Sequence, residues 1–291
     1  MKILRLVAAV SLFSLVSCPA LAGGSFAAAQ GGAGFASSLR MAVADYSHLF
    51  AEAGTATKIS SLSERAEGKA GIFRSAGEKL YFDIYWMGIY VGNATLEETG
   101  RGAKVTITSE VHSAPVISVL YKVKDHASST VVDGKPVNFR IRQREGRYRS
   151  DKETRFDPDN GRITYFDYRK GIKAEHEVEN MRVWDVISGF YHLRTLALET
   201  GKTLSIDVFD SNKMLKAEAH VLRKEKVAFP GKGEVDAFVI KPVLRSEGLF
   251  KHRGDILIWL TGDKSRIPVR VETRVSIGKV VAELKRVEVA R

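Results

Sequence analysis

Apolar and polar positions alternate through most of the chain beyond residue 77, and this period of two predicts β-strands. The stretch 80–90 is rich in aromatic and β-branched side chains, and Val105, Ile107 and Val111 alternate with polar neighbours. Turn-forming residues, such as those of FDPDNG, separate the strands. The pattern predicts further strands at 163–167, 204–209, 217–224, 237–244, 255–260, 267–276 and 280–289.

The segment WDVISGFYHLRTLALETG has helical spacing instead. Asp185 is the natural N-cap, Val186 and Phe190 share an apolar stripe, and Gly201 predicts the end of the helix. Many short strands around one helix predict a mainly β fold, a large curved antiparallel sheet or barrel-like meander wrapped around one central α-helix. An N-terminal helix is predicted outside this domain.

The first 22 residues have the parts of a secretory signal peptide. A basic start precedes an apolar run from Leu6 to Val16, which is too short to span a bilayer, and the small-residue exit ALA follows. Cleavage after Ala22 predicts a periplasmic protein. In the alternative, LVSC is a lipoprotein signal, Cys18 carries a lipid, and the protein is membrane-anchored.

The chain beyond the signal divides into two parts. Residues 23–74 begin with the small, uncharged GGSFAAAQGGAGFA, which is typical of a flexible leader, and contain an amphipathic helix near 38–53. Residues 75–291 form the β-rich envelope domain, whose length suits a single all-β unit.

The charge of the chain indicates the class of partner. The net charge is +11, and losing Lys2 and Arg5 with the signal leaves +9. A basic protein outside the cytoplasm is expected to meet lipid or anionic envelope polymers rather than nucleic acid. Contact with a membrane is predicted only if Cys18 is lipidated, since no apolar run after Val16 resembles a membrane helix.

No catalytic, metal or cofactor motif emerges. Asp185, Ser188 and His192 are the residue types of a hydrolase triad, but the acid and the histidine are separated by about 10 Å along the helix, with the serine between them. The seven histidines include no HxH or HExxH arrangement. We therefore predict that the protein is not an enzyme and holds no cofactor.

The segment FRIRQREGRYR is the most unusual charged stretch. Read as a hairpin with Glu145-Gly146 as the turn, it places five arginines on one face and pairs Arg140 with Asp151. This face is either a solvated sheet surface or a platform for an anion, because guanidinium groups bind phosphate and carboxylate bidentately. The five anion-binding candidates are Arg140, Arg142, Arg144, Arg147 and Arg149.

The aromatic residues form a second candidate site. They are explained by ordinary core packing or by a cavity for an acyl chain, the two alternatives that the pattern leaves open. The apolar cavity candidates are Tyr85, Trp86, Trp184, Phe190, Tyr191 and Trp259.

Five segments together resemble one known family: GEKLYFDIYWMGIYVGNATLE, YKVKD, REGRY leading to RFDP, DVISGFYHLR, and IWLTGDKSRIPVRVE. Over about residues 75–291 the chain resembles the bacterial envelope family called domain of unknown function 3108. The resemblance implies an exported, β-rich, non-enzymatic protein and supplies no catalytic residues. A looser analogy is to periplasmic lipoprotein carriers, in which a half-closed barrel holds acyl chains.

Two functions are predicted on this basis. The first is an envelope protein that binds a lipid or another amphipathic anion. The alternative is a structural or adaptor protein with a filled core, which acts through its arginine face on a partner protein or a cell-wall polymer.

Overall fold

The computed structural model describes residues 77–245, 255–275 and 278–289. The predicted signal segment, the leader with its helix near 38–53, and Cys18 lie outside the described residues. Within those three ranges, neither helix has the length and apolar character needed to cross a membrane.

The described part of the chain forms fifteen strands and two helices. The helices are α1 (Pro115–Leu120) and α2 (Val186–Thr195). The strands are β1 (Glu78–Trp86), β2 (Ile89–Arg101), β3 (Lys104–Ser113), β4 (Lys124–Val132), β5 (Lys135–Glu145), β6 (Tyr148–Asp157), β7 (Arg162–Asp167), β8 (Ile172–Glu177), β9 (Val183–Trp184), β10 (Thr203–Asp210), β11 (Lys213–Phe229), β12 (Gly233–Arg245), β13 (Asp255–Thr261), β14 (Pro268–Val275) and β15 (Gly278–Val289).

All fifteen strands join one sheet in the order β8-β7-β6-β5-β4-β3-β2-β1-β15-β14-β13-β12-β11-β10-β9. The first and last strands pair at its middle, and the rest of the chain extends to either side as a meander. Neighbouring strands are antiparallel except β9 and β10, which run parallel. The sheet is not closed, because β8 and β9 remain as its edges. The prediction of a mainly β, antiparallel fold is confirmed.

The alternation in β1 explains how the sheet separates a core face from an outer face. Leu80, Phe82 and Ile84 are almost completely buried, while Tyr81 and Asp83 between them are partly exposed. Burying each such apolar side chain contributes about 1.5–3 kcal/mol relative to leaving it in water. A slip of one residue in the register would reverse the two faces and lose this contribution.

Helix α2 begins at Val186 with Asp185 as its N-cap, as the sequence predicts. One carboxylate oxygen of Asp185 accepts the backbone N–H groups of Ile187 and Ser188, at 2.9 and 3.0 Å. The other accepts the hydroxyls of Ser188 and of Ser129 in β4, both at 2.6 Å. Burial raises the pKa of Asp185, although these hydrogen bonds act in the opposite direction. The cap therefore also attaches the helix to the sheet.

Helix α2 ends at Thr195, several residues before the end predicted at Gly201, because Leu196 takes an extended conformation with φ −79° and ψ 157°. Its last turn contains Arg194, whose side chain is 6% exposed and lies 2.9 Å from the carboxylate of Glu78 in β1. The same guanidinium donates hydrogen bonds to two carbonyls of the β13–β14 turn. Both ends of α2 are thus bound to the sheet through buried charged groups.

Candidate functional site

The hairpin that carries the arginines turns one residue later than predicted. Its turn is Gly146-Arg147, and Glu145 lies opposite Tyr148. Gly146 has φ +56°, which suits the first position of a two-residue hairpin turn that requires a left-handed residue there. The predicted turn at Glu145-Gly146 is therefore wrong, because the glycine occupies the first turn position instead of the second.

The shift changes every cross-strand pair of the hairpin. Arg140 lies opposite Glu153 instead of Asp151, Arg142 lies opposite Asp151, and Arg144 lies opposite Arg149. Arg147 is in the turn and no longer belongs to the sheet face. The predicted face of five arginines is therefore reduced to four strand residues with two carboxylates among them.

Two of these arginines are bound to one carboxylate. Arg140 donates from Nε and Nη2 to the two oxygens of Asp151, both at 3.1 Å, and Arg142 lies 3.7 Å from the same carboxylate. Arg149 folds back, and its Nη1 donates to the carbonyls of Gly146 and Tyr148 at 2.7 Å. The inner part of the hairpin is therefore a sheet surface on which charges are neutralised locally.

The outer part of the hairpin keeps its positive charge. Arg144 and Arg147 are exposed and, within the described ranges, form no ion pair. Exposed Lys122 and Lys124 lie on the neighbouring chain segment, and the N–H of Gly146 donates to the carbonyl of Lys122 at 2.9 Å. We call Lys122, Lys124, Arg144 and Arg147 the basic rim.

Exposed apolar side chains occur at the same end of the sheet. β3 ends at Ser113 opposite Gly92 of β2. The N–H of Ala114, the residue before α1, donates to the carbonyl of Val91 at 2.8 Å, so α1 begins near the β1–β2 turn. None of the six residues of α1 is buried. We call this part of the molecule the α1 end and its exposed apolar residues the apolar patch: Met87, Ile89, Tyr90, Val116, Val119 and Leu120.

The apolar patch and the basic rim are joined through Tyr121, the residue after α1. A Cβ atom placed on Gly146 would lie 2.4 Å from Cε2 of Tyr121, so the aromatic ring rests directly on the hairpin turn. The residue that follows α1 is therefore in contact with the turn that carries Arg147. This arrangement can hold a molecule with an apolar part and an anionic part.

A pair of buried carboxyl groups lies on the core face beneath the rim. Asp125 of β4 is 4% exposed and Glu145 of β5 is 6% exposed. Burial, together with the charge of Asp125 and a hydrogen bond to it, raises the pKa of Glu145 to about 9. Near neutral pH the pair therefore holds a proton between its two carboxyl groups.

Further polar groups surround the pair on the core face. Nε2 of Gln143 donates to Glu145 at 3.1 Å, and the N–H of Arg144 donates to Asp125 at 2.9 Å. Ser150 lies opposite Gln143 in the hairpin. Oε1 of Gln143 and Oγ of Ser150 are buried and have no hydrogen-bond partner among the described residues. The cluster thus has unused hydrogen-bonding capacity.

Three more charged residues lie on this face farther from the rim. Lys152 lies opposite Asp167, and its Nζ lies 3.3 Å from the hydroxyl of Ser211. Asp167 and Asp210 are each 4% exposed. Four inward carboxyl groups and one lysine make this part of the interior acidic.

Residues 81–285 match the family described as protein of unknown function (DUF3108). The chain belongs to this family. The resemblance seen in the sequence is therefore confirmed. No curated protein matches this DUF3108 chain.

A solved structure has a similar fold. It is the crystal structure of a beta-barrel-like protein of domain of unknown function DUF1849 from Brucella abortus, with a TM-score of 0.53 and 10% sequence identity. The alignment covers 74% of the DUF3108 chain and 98% of the other chain. At this identity the likeness shows the fold alone.

The six aromatic cavity candidates of the DUF3108 chain do not share one face. Trp259 lies opposite Arg270, which lies opposite Glu283. Glu283 in turn lies opposite Asp83, two residues before Tyr85. Tyr85 and Trp259 are therefore on the outer face, where the Arg270 guanidinium lies 5.3 Å from the Trp259 ring. Trp259 is nevertheless only 6% exposed and belongs to the buried core, so its role in a cavity stays a prediction.

The other four candidates contact the core as Trp259 does. Trp86 and Trp184 are partly buried against it, and Phe190 and Tyr191 of α2 belong to it. The Trp184 ring stacks on His192 with centroids 4.3 Å apart. A role for these four in binding an acyl chain stays a prediction.

Two features of the site were not predicted from the sequence. Helix α1 could have been found from the apolar run PVISVL, which starts with proline at a position that favours helix initiation. The buried pair could have been predicted from the alternation of side chains along β5. Phe139 and Ile141 point inward, so Gln143 and Glu145, at every second position after them, point inward as well. No described group of three or more His, Cys, Asp or Glu side chains could hold a metal ion.

Proposed function

We propose that this protein is an exported, non-enzymatic envelope protein that binds an amphipathic ligand with an anionic group, such as a phospholipid, at the α1 end. The observation that carries the proposal is the contact between Tyr121 and Gly146, which joins the exposed helix α1 to the turn of the arginine hairpin. The apolar patch supplies surface for an acyl chain, and the basic rim supplies charge for a phosphate.

The energies of the two contributions are comparable. Each lysine or arginine held near an anionic lipid surface contributes about 1 kcal/mol, so the four residues of the basic rim contribute about 4 kcal/mol. Val116, Val119 and Leu120 of the apolar patch are 74–85% exposed, and burying each contributes about 1.5–3 kcal/mol. Neither contribution alone gives tight binding, and together they favour a ligand with both parts.

Two further expectations belong to this proposal. The signal segment supports export to the periplasm, with the lipidated form at Cys18 as the alternative. Helix α2 is taken as the central helix of the sheet, because Asp185 binds it to β4 and Arg194 binds it to β1.

The first test measures binding of the full chain to sedimenting vesicles of phosphatidylcholine with and without phosphatidylglycerol. The variant Lys122→Gln/Arg144→Gln/Arg147→Gln removes three charges of the rim and should weaken binding to phosphatidylglycerol vesicles about 100-fold. The matched control removes three exposed charges at the opposite end: Lys104→Gln/Lys135→Gln/Arg162→Gln. Equal losses in the two variants, or none in the first, would refute the role of the rim.

The second test addresses the apolar patch. The variant Val116→Ser/Val119→Ser/Leu120→Ser should reduce vesicle binding at high salt, where the charges are screened and apolar contact dominates. The control is Leu222→Ser/Val289→Ser, which alters exposed apolar residues of β11 and β15. Unchanged binding by the α1 variant would show that the patch does not contact lipid.

A second candidate function is an adaptor that binds a partner protein through the outer face of the hairpin. Its support is a ladder of cations and rings in which Arg155 lies 4.9 Å from Phe166 and Arg140 lies 4.9 Å from Tyr168. The two rings stack with centroids 5.8 Å apart. Arginine and tyrosine are enriched where binding energy concentrates in interfaces. In this case Tyr168→Ala would abolish crosslinking to an envelope protein without changing vesicle binding.

A further inference from the structure

The two edges of the open sheet differ in how they are protected from pairing with another strand. Edge strand β9 contains only Val183 and Trp184, and so short an edge offers little backbone for pairing. Edge strand β8 has six residues, keeps a regular register with β7, and contains neither proline nor a bulge. Of the described strands, β7 alone pairs with β8. Within the described chain, the outward row of backbone groups of β8 is therefore available to a further strand.

The side chains of β8 alternate between the two faces of the sheet. Ala174 lies opposite the buried Tyr165 of β7, so the even-numbered positions face the core. On the outer face, Nζ of Lys173 lies 2.7 Å from the carboxylate of Glu175. None of the six residues is buried. The core side of β8 carries no lysine or carboxylate, although inward charges of that kind protect many sheet edges from pairing.

Charge is distributed unevenly along this edge. The exposed charged residues between positions 168 and 180 are basic before Ala174 and acidic after it: Arg169, Lys170, Lys173, Glu175, Glu177 and Glu179. An antiparallel strand of the same sequence would bring the basic half of each copy against the acidic half of the other. Opposite charges that face each other across strands are stabilising, and like charges are destabilising. The β8 edge is therefore complementary to itself.

From this arrangement we infer that β8 pairs with β8 of a second copy of this chain, antiparallel, with Ala174 opposite Ala174. In that register Lys173 of each copy lies opposite Glu175 of the other, and the small Ala174 side chains meet at the two-fold axis. Ile172, which is 44% exposed, comes opposite His176. The same patch is used on both copies, as in most symmetric dimers. The inference goes beyond the proposed function and does not depend on it.

The backbone fits the same register. Alternate residues of an antiparallel edge strand direct both the N–H and the C=O group outward. Pairing Ala174 with Ala174 places even positions opposite even ones and odd positions opposite odd ones, so outward residues meet outward residues. A register centred on Lys173 or on Glu175 would instead place like charges opposite each other. The charges therefore select one register.

The dimer is expected to be weak and reversible. Stable interfaces bury about 800 Å² per partner, and a pair of strands that extend only about 20 Å offers less surface than that. The contact between Lys173 and Glu175 within each copy also competes with the intermolecular pairs. These charged side chains are exposed, so association should weaken as the salt concentration rises.

The experiment measures the mass of the full chain by sedimentation equilibrium over a range of protein concentrations. We expect the wild-type protein to form dimers reversibly. Lys173→Glu places like charges in both central charge pairs and should weaken association about 10-fold, and Glu175→Lys should do the same. The double variant Lys173→Glu/Glu175→Lys restores opposite charges and should associate as the wild type does.

A mixture of the two single variants tests the register directly. In a dimer that contains one chain of each kind, positions 173 and 175 again face opposite charges, so the mixture should associate about 10-fold more tightly than either variant alone. The matched control is Lys226→Glu, which reverses one charge of the exposed ion pair with Asp236 and should leave association unchanged. Far-UV circular dichroism checks that each variant is folded.

Two outcomes would overturn the inference. A wild-type protein that stays monomeric would leave the edge to an extended segment of another protein. Dimers that persist unchanged in Lys173→Glu would form through a different surface. Neither result bears on vesicle binding at the α1 end.

Discussion

Replacing Glu145 with glutamine should change how stability depends on pH. In the folded protein burial and the neighbouring Asp125 raise the pKa of Glu145 to about 9, from 4.5 in the unfolded chain. A group whose pKa is raised on folding stabilises the folded state below its unfolded pKa, and this stabilisation is lost as pH rises toward the folded pKa. The window is therefore pH 4.5 to 9, and glutamine removes the ionisation while keeping the size of the side chain.

The magnitude follows from the width of that window. Within it the free energy of unfolding falls by about 1.4 kcal/mol per pH unit for one such group. Between pH 5 and pH 8 the wild-type protein should thus lose up to about 4 kcal/mol relative to Glu145→Gln. Burial acts to raise the pKa of Glu153, but hydrogen bonds from Arg155, Tyr168 and Asn138 lower it to about 2, so that carboxylate titrates outside the window.

The assay is urea unfolding at pH 5, 6, 7 and 8, monitored by tryptophan fluorescence. The difference in unfolding free energy between Glu145→Gln and wild type should move steadily in favour of the variant as pH rises. Glu234→Gln, at an exposed position near the start of β12, should follow the wild-type curve. Parallel curves for wild type and Glu145→Gln would refute the buried, proton-sharing pair.

The remaining predictions concern stability alone. Arg194→Met leaves the buried carboxylate of Glu78 without its partner and should lower the free energy of unfolding by about 3–5 kcal/mol. The double variant Arg194→Met/Glu78→Gln should recover part of that loss in the same urea assay. Gly146→Ala should destabilise the protein more than Gly171→Ala. Both glycines have positive φ, but only the methyl group of an alanine at 146 would press against Tyr121. Equal melting temperatures for the two variants would contradict the contact.

The sheet could be predicted from sequence because its core face repeats strictly along each strand. In β1 the residues Leu80, Phe82 and Ile84 are all buried, and this alternation identifies a strand without knowledge of its neighbours. The N-cap of α2 was predictable for the same local reason, since Asp185 satisfies donors only two and three residues away. The order of fifteen strands in one open sheet was not predicted, because it depends on pairings between distant segments such as β1 and β15.

The hairpin was only partly predictable. The sequence placed Arg140, Arg142 and Arg144 on one face, and the structure does so as well. The residues opposite these arginines depend on where the hairpin turn begins. Because the turn begins one residue later than predicted, Arg142 lies opposite Asp151 and forms an ion pair with it. Turn position depends on the backbone conformation of Gly146, which composition alone does not determine.

The contrast between the two ends of the molecule supports placing function at the α1 end. Helix α2 is fixed at one terminus by the buried hydrogen bonds of Asp185 and at the other by the buried ion pair of Arg194. Helix α1 is held by the partly buried Ile117 and by hydrogen bonds between Ser118 and Ser113, whereas Val116 and Val119 are 78% and 85% exposed. Selection for stability alone would favour polar residues on a short exposed helix. Apolar residues there, beside unpaired Arg144 and Arg147 of the described chain, are explained if a ligand with both apolar and anionic parts covers them.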